Sequence, residues 1–247
     1  MKLAIFDIGS NDGLDGLVLA LLNPSSIVYS FEPNSELNKK INYNKKIIEK
    51  FFGVKIKNYK LYNLAISNSN KFQKFYINKH DLLSSLKRVN INFTNKDDLE
   101  IKDIKKIKVI RLDKFCKTKK IDYIQFIHSD AQGSDLEVLE GLGVYKKKLI
   151  SGVIETTVNH KNNRYLKSTS LKKVKKKFNT WNFYITKINP NFTDIEYDVY
   201  FEYKNYDKTI THAKTNYNPR FFRRILLNKI KIKDYLALFF LKFFYRY

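Results

Sequence analysis

The sequence predicts an α/β chain built on a doubly wound, mostly parallel sheet with helices on both faces. Three observations predict it. Apolar, β-branched runs alternate with helical stretches over the first two-thirds of the chain, the pattern of strands joined by crossover helices. The first run leads into Phe6-Asp7-Ile8-Gly9-Ser10-Asn11-Asp12-Gly13, an acidic residue and two glycines in one turn. The second, Ile27-Val28-Tyr29, delivers a lone carboxylate in Ser30-Phe31-Glu32-Pro33-Asn34.

Taken in order, strands are predicted near 2–8, 26–32, 57–66, 104–111, 121–130, 150–158, 181–188 and 197–203, with a short extra strand at 72–77. Helices are predicted near 14–22, 35–51, 134–142 and 163–179; in the last, Leu171, Val174 and Phe178 form an apolar stripe among lysines. Residues 79–103 are polar, rich in lysine and asparagine, and read as a long loop that is either a lid or disordered. Two segments are expected, a domain over 1–218 and a basic, aromatic, helical segment over 219–247.

The chain has 247 residues, 43% of them hydrophobic and 15% aromatic, enough for one complete α/β core. Its one cysteine, Cys116, excludes a disulfide framework and a thiolate cluster and reads as a buried thiol in a reducing compartment. Lys2 already opens the first strand, so no signal peptide is expected. No apolar run is long enough to span a bilayer. The net charge is +23, yet the basic residues are overwhelmingly lysines rather than the guanidinium forks favoured for reading phosphates, so no specific nucleic acid is expected.

The strand, turn, helix, strand unit suits a nucleoside. Gly9 lets the backbone approach a ligand with no Cβ in the way, and Glu32, at the end of the neighbouring strand, can accept both ribose hydroxyls. A dinucleotide fingerprint would need glycines where Asn11 and Leu14 stand. S-adenosylmethionine has no pyrophosphate and needs only a tight turn and polar groups, which Gly9, Ser10, Asn11, Asp12 and Gly13 supply. An NAD-dependent oxidoreductase or epimerase is the rival enzyme, an RNA-binding or RNA-modifying protein the rival suggested by charge, and a non-catalytic module the third.

A second constellation lies at Ile121–Asp130, a buried strand ending in His128-Ser129-Asp130 and running into Ala131-Gln132-Gly133-Ser134-Asp135-Leu136. Ligands of open α/β sheets lie beyond the carboxyl ends of the strands, where Asp7, Glu32 and Asp130 would meet. Methyl transfer to a hydroxyl needs alignment and a proton acceptor, and Asp130 and His128 are the candidates. Glu155 and His160 follow the next strand, but without H-x-x-x-H or C-x-x-C spacing no metal is expected. Asp135 and Glu137 read as acids of a first helical turn.

The motifs FDIGSNDG, FEPN, NLAISN (63–68), SSL (84–86), RLDKF (111–115) and HSDAQGSDLEVLEGL (128–142) resemble the FkbM-type S-adenosylmethionine-dependent methyltransferases over residues 3–160. The resemblance implies a Rossmann-like, seven-stranded methyltransferase fold with its last strand antiparallel, and O-methylation of a sugar, glycan or related small molecule. It adds Ala65, Ile66 and Ser67 beside the adenine and extends the cofactor set of Asp7, Gly9–Gly13 and Glu32 to Pro33 and Asn34. The chain departs from the family's frequent D-x-E-G at Asp130-Ala131-Gln132-Gly133, and from a lysine common near His128. A cytoplasmic location is expected, with peripheral contact at the inner membrane face through 219–247.

Overall fold

The computed structural model describes residues 1–90, 92–93, 100–157, 163–190, 196–216 and 219–227. Its main sheet has seven strands: β1 (Leu3–Ile8), β2 (Ile27–Phe31), β3 (Tyr59–Tyr62), β7 (Tyr123–Ser129), β8 (Leu149–Thr157), β9 (Phe183–Pro190) and β10 (Glu196–Tyr203). They lie in the order β3-β2-β1-β7-β8-β10-β9. β1, β2, β3, β7 and β8 run parallel, whereas β10, the last strand in sequence, is antiparallel to both its neighbours. The order reverses between β1 and β7, which opens a crevice at their carboxyl ends.

β1 reads as an uninterrupted apolar run because it is buried from Ala4 to Ile8 with helices on both sides. On one face α1 (Leu14–Leu22), α2 (Asn38–Phe52) and α6 (Pro219–Leu226) cover a cluster that includes Ile5, Val28, Leu17, Ile48 and Phe222. On the other, α3 (Leu112–Lys119), α4 (Asp135–Glu140) and α5 (Leu171–Trp181) enclose Phe6, Phe31, Phe115, Leu139 and Phe178. Phe115 sits edge-on to Phe31 and Tyr62 at ring-centroid distances of 5.0 and 5.2 Å.

Four expectations need correction. The predicted strand 57–66 breaks after Tyr62: Asn63 turns its amide back onto the carbonyl oxygen of Glu32, 3.1 Å away, and β4 (Ala65–Ile66) joins a second sheet. That sheet is β4-β6-β5, so β5 (Lys71–Asn78) and β6 (Ile101–Ile110) stand apart from the seven main strands. Helix α3 was not predicted; its eight residues carry too few apolar positions for a periodic signal, though its Cys116 is buried as expected. Helix α5 begins at Leu171 rather than 163, because Ser170 caps it and Ser168 and Thr169 spend their hydroxyls on loop carbonyls. Within the described part of 79–103, Asp81–Leu83 forms one 3-10 turn, and Ser85 pairs with Tyr76.

α6 packs Phe222 and Ile225 into the domain and leaves Arg223 3.2 Å from Asp12 Oδ2. Residues 228–247 lie outside the described residues. Among those described, no helix is long and apolar enough to cross a membrane.

Candidate active site

Glu32 organises the crevice. Its Oε2 accepts the amide hydrogen of Asn11, and its Oε1 that of Asn34, each at 2.8 Å, so one carboxylate joins the loops after β1 and β2. Burial pushes its pKa up to about 7, against the pull of those two amides. Gly9 lies at φ +77, and a Cβ there would stand 2.0 Å from the carbonyl oxygen of Asp130. The absent side chain is what lets the first loop close onto the end of β7.

A cavity opens against these groups. Of the predicted cofactor residues, Gly9, Asn11, Glu32, Pro33, Ala65 and Ile66 line it, together with Asp130. Ile8, Phe31 and Phe75 add apolar wall, and Asp81, Leu82, Ser84 and Leu86 of the 79–90 segment close over it, with Ala131 and Gln132 beside Asp130. The apolar slot beside Ala65, Ile66 and Phe75 suits an adenine, and Glu32 at its edge suits a ribose. These residues therefore fit a nucleoside cofactor. Of that segment the sequence marked only the SSL motif at 84–86, through the family resemblance. The apolar liners were hidden because core and ligand contacts look alike in a sequence.

The other predicted cofactor residues are not among those that line this cavity. Asp7 is fully buried; it accepts from Ser30 Oγ at 2.8 Å and lies 3.0 Å from His128 Nδ1. The register explains this meeting, since Asp7 is paired with Ser30 on one side and with His128 on the other. Asp12 Oδ1 accepts from the Leu14 amide at 3.1 Å, Asn34 Oδ1 accepts from Glu36, and Gly13 begins α1 at φ 75. Ser10 is buried, and the Ser67 amide donates to the carbonyl of Ile110.

A second, polar cavity lies beside the first and is lined by Asp15, His128, Asp130, Glu155, Asp198 and Thr215, with Phe126, Val153 and Tyr200 as its apolar wall. Asp130 borders both cavities. Burial raises the pKa of Asp130, partly opposed by the Gln132 amide and His128, and raises that of Glu155 further with Asp130 and Glu196 adding to it. For His128 burial works against the charged form, but the Asp7 hydrogen bond and the charges of Asp15, Asp7 and Asp130 win and hold its pKa near 10. The acidic neighbours thus favour the imidazolium form of His128. No group of three or more His, Cys, Asp or Glu that could hold a metal occurs among the described residues, and His160 lies outside them.

Residues 7–206 match the Methyltransferase FkbM domain. The chain belongs to the FkbM methyltransferase family. Its cofactor is S-adenosylmethionine, and a cavity lined by Glu32, Ala65 and Ile66 next to a carboxylate-lined rim agrees with that. Among solved structures it is similar to an FkbM methyltransferase from Methylobacillus flagellatus KT, at 14% identity and a TM-score of 0.51, over 81% of this chain and 43% of that one. This FkbM chain therefore spans less than half the length of that structure, and the likeness is one of fold. M. capricolum TrmK, solved with S-adenosylhomocysteine, aligns at 15% identity and a TM-score of 0.45, over 85% of this chain and 66% of that one. A putative O-methyltransferase from Nostoc punctiforme PCC 73102 aligns at 11% identity and 0.42, over 81% and 51%. No curated protein matches the sequence.

Proposed function

We propose that this FkbM-family chain transfers the methyl group of S-adenosylmethionine to a hydroxyl oxygen of a sugar, glycan or related small molecule, with Asp130 as proton acceptor and His128 as its partner. The observation that carries the reading is Asp130 on the wall shared by the nucleoside cavity and the polar cavity. When bound, the cofactor supplies an electrophilic methyl already activated by a sulfonium charge. The protein then has to hold the hydroxyl in line and take its proton. Asp130 borders the junction where that hydroxyl would lie. In its imidazolium form His128 serves to favour the ionised form of Asp130 and, held by Asp7, to fix the geometry of the wall.

Acceptor chemistry follows from the polar cavity. Asp15, Asp130, Glu155 and Asp198 are carboxyls that hydrogen-bond hydroxyls well and repel phosphates. This favours a polyol over an RNA backbone, despite the charge of +23. Peripheral membrane contact through residues 228–247, whose sequence mixes lysines with Phe and Leu, would bring the site to lipid-linked glycans.

The test is labelled methyl transfer from S-adenosylmethionine into a panel of sugars, glycans, amines and RNA. Incorporation into hydroxylated acceptors that falls by about 10²–10⁴ in Asp130→Asn, with S-adenosylhomocysteine binding retained, supports the reading. Transfer only to amines or RNA sinks it.

A further inference from the structure

Gln132 links Asp130 to Glu155 and to the segment over the nucleoside cavity. It is 8% exposed and sits at φ 47 in the turn between β7 and α4. Its Nε2 lies 2.6 Å from Asp130 Oδ1 and 3.4 Å from Glu155 Oε2. An amide nitrogen carries two hydrogens, so it can offer one to each carboxyl. Its Oε1 is 3.1 Å from the Tyr165 hydroxyl, which also reaches the carbonyl of Leu83 at 2.6 Å. Its main-chain oxygen accepts from Ser85 Oγ at 2.7 Å. Leu83 and Ser85 belong to the segment that closes over the nucleoside cavity.

We propose that Gln132 is a positioning residue: its amide bridges Asp130 to Glu155, so that the Asp130 carboxylate stays aimed at the junction of the two cavities. The proposal rests on the reading of Asp130 as proton acceptor. Like charges this close in a partly buried rim repel, and without a donor between them one carboxyl must turn away or keep a proton. The groups facing the pair are His128 and Ser129 from β7, Asp15 from α1, Glu196 and Asp198 from β10, Asp135 from α4, and Tyr165. His128 is the cation nearest to Asp130 among them, and Gln132 supplies a neutral donor on the other side.

Gln132→Glu keeps the shape and replaces the donor by an acceptor. At about pH 8 its kcat should fall about 10–100-fold, recovering in part near pH 6, where a retained proton restores a single donor toward Asp130. Carbon-13 carboxyl NMR should show the Asp130 midpoint raised by at least about one unit relative to wild type. Gln132→Met, which has length but no hydrogen bonds, should lose turnover without recovery in acid. A wild-type pH profile and a wild-type Asp130 midpoint in Gln132→Glu overturn the proposal. If that variant does not fold, an undiminished kcat in Gln132→Met overturns it. If the wild-type protein methylates no hydroxyl, the functional reading fails, and the Asp130 midpoints still decide the bridge.

Discussion

Gly9→Ala should damage the fold and the cofactor site together, and the size of the damage can be worked out because Gly53 supplies an internal control. Both glycines have positive φ, +77 and +66, where an L side chain costs about 1–2 kcal/mol. At Gly53 a Cβ would find nothing within 4 Å, so Gly53→Ala should show that backbone cost alone. At Gly9 the new Cβ would stand 2.0 Å from the Asp130 carbonyl oxygen, far inside contact distance, and both are main-chain anchored. Forcing the loops apart adds about 1–3 kcal/mol, the usual range for overpacking. Gly9→Ala should therefore cost about 2–5 kcal/mol, which for a chain of this size lowers Tm by about 5–15 °C. Denaturant unfolding of both variants, with calorimetric titration of S-adenosylhomocysteine, measures the two effects. Affinity should drop at least about tenfold in Gly9→Ala and stay near wild type in Gly53→Ala. Equal destabilisation in the two variants would refute the argument that the first loop closes on the Asp130 carbonyl.

Other outcomes follow from the same geometry. Glu32→Ala should weaken S-adenosylhomocysteine binding by about 1.5–3 kcal/mol through lost charge-assisted bonds to ribose, while NAD should not bind either protein. Because the Glu32 pKa is raised to about 7, wild-type binding should weaken as pH falls through that value, and titration calorimetry at several pH values should find this dependence abolished in Glu32→Gln. The His128 ring, with its folded pKa raised from 6.5 to about 10, contributes stability that is fully present below about 6.5 and is lost as pH rises through about 10; ring-proton NMR of Asp7→Asn should show the midpoint fall back toward the ordinary value. Flotation with anionic vesicles should recover the full chain but not a version ending at Leu227, which keeps α6 and its buried Phe222 and Ile225, and equal recovery would eliminate membrane contact through residues 228–247.

The parts of the fold legible in the sequence are those whose burial is two-sided or whose turn is chemically marked. β1, β2 and β7 announce themselves as apolar runs because the sheet is covered on both faces, and Gly9 and Glu32 stand out because their jobs are local. The break at Asn63 was not legible. Nothing in Tyr59–Ile66 announces that its two ends belong to different sheets, since the cause is one side-chain amide reaching a carbonyl from another strand. The start of α5 failed for a related reason: Ser168 and Thr169 have adequate spacing for a helix, but their hydroxyls satisfy the Tyr165 and Gly133 carbonyls instead.

The same division runs through the site. Asp7, Glu32 and Asp130 could be placed at one sheet edge from strand order alone, yet their roles diverge for reasons only packing supplies. Asp7 is fully buried between Ser30 and His128, with its carboxyl bonded to both. Glu32 spends part of its capacity on the Asn11 and Asn34 amides and keeps the rest at the cavity wall. Asp130 alone of the three borders both cavities, and its carboxyl is the one held by a neutral donor, Gln132. Three acids at equivalent strand ends thus differ in surroundings, according to what each has left to bond once its neighbours are satisfied.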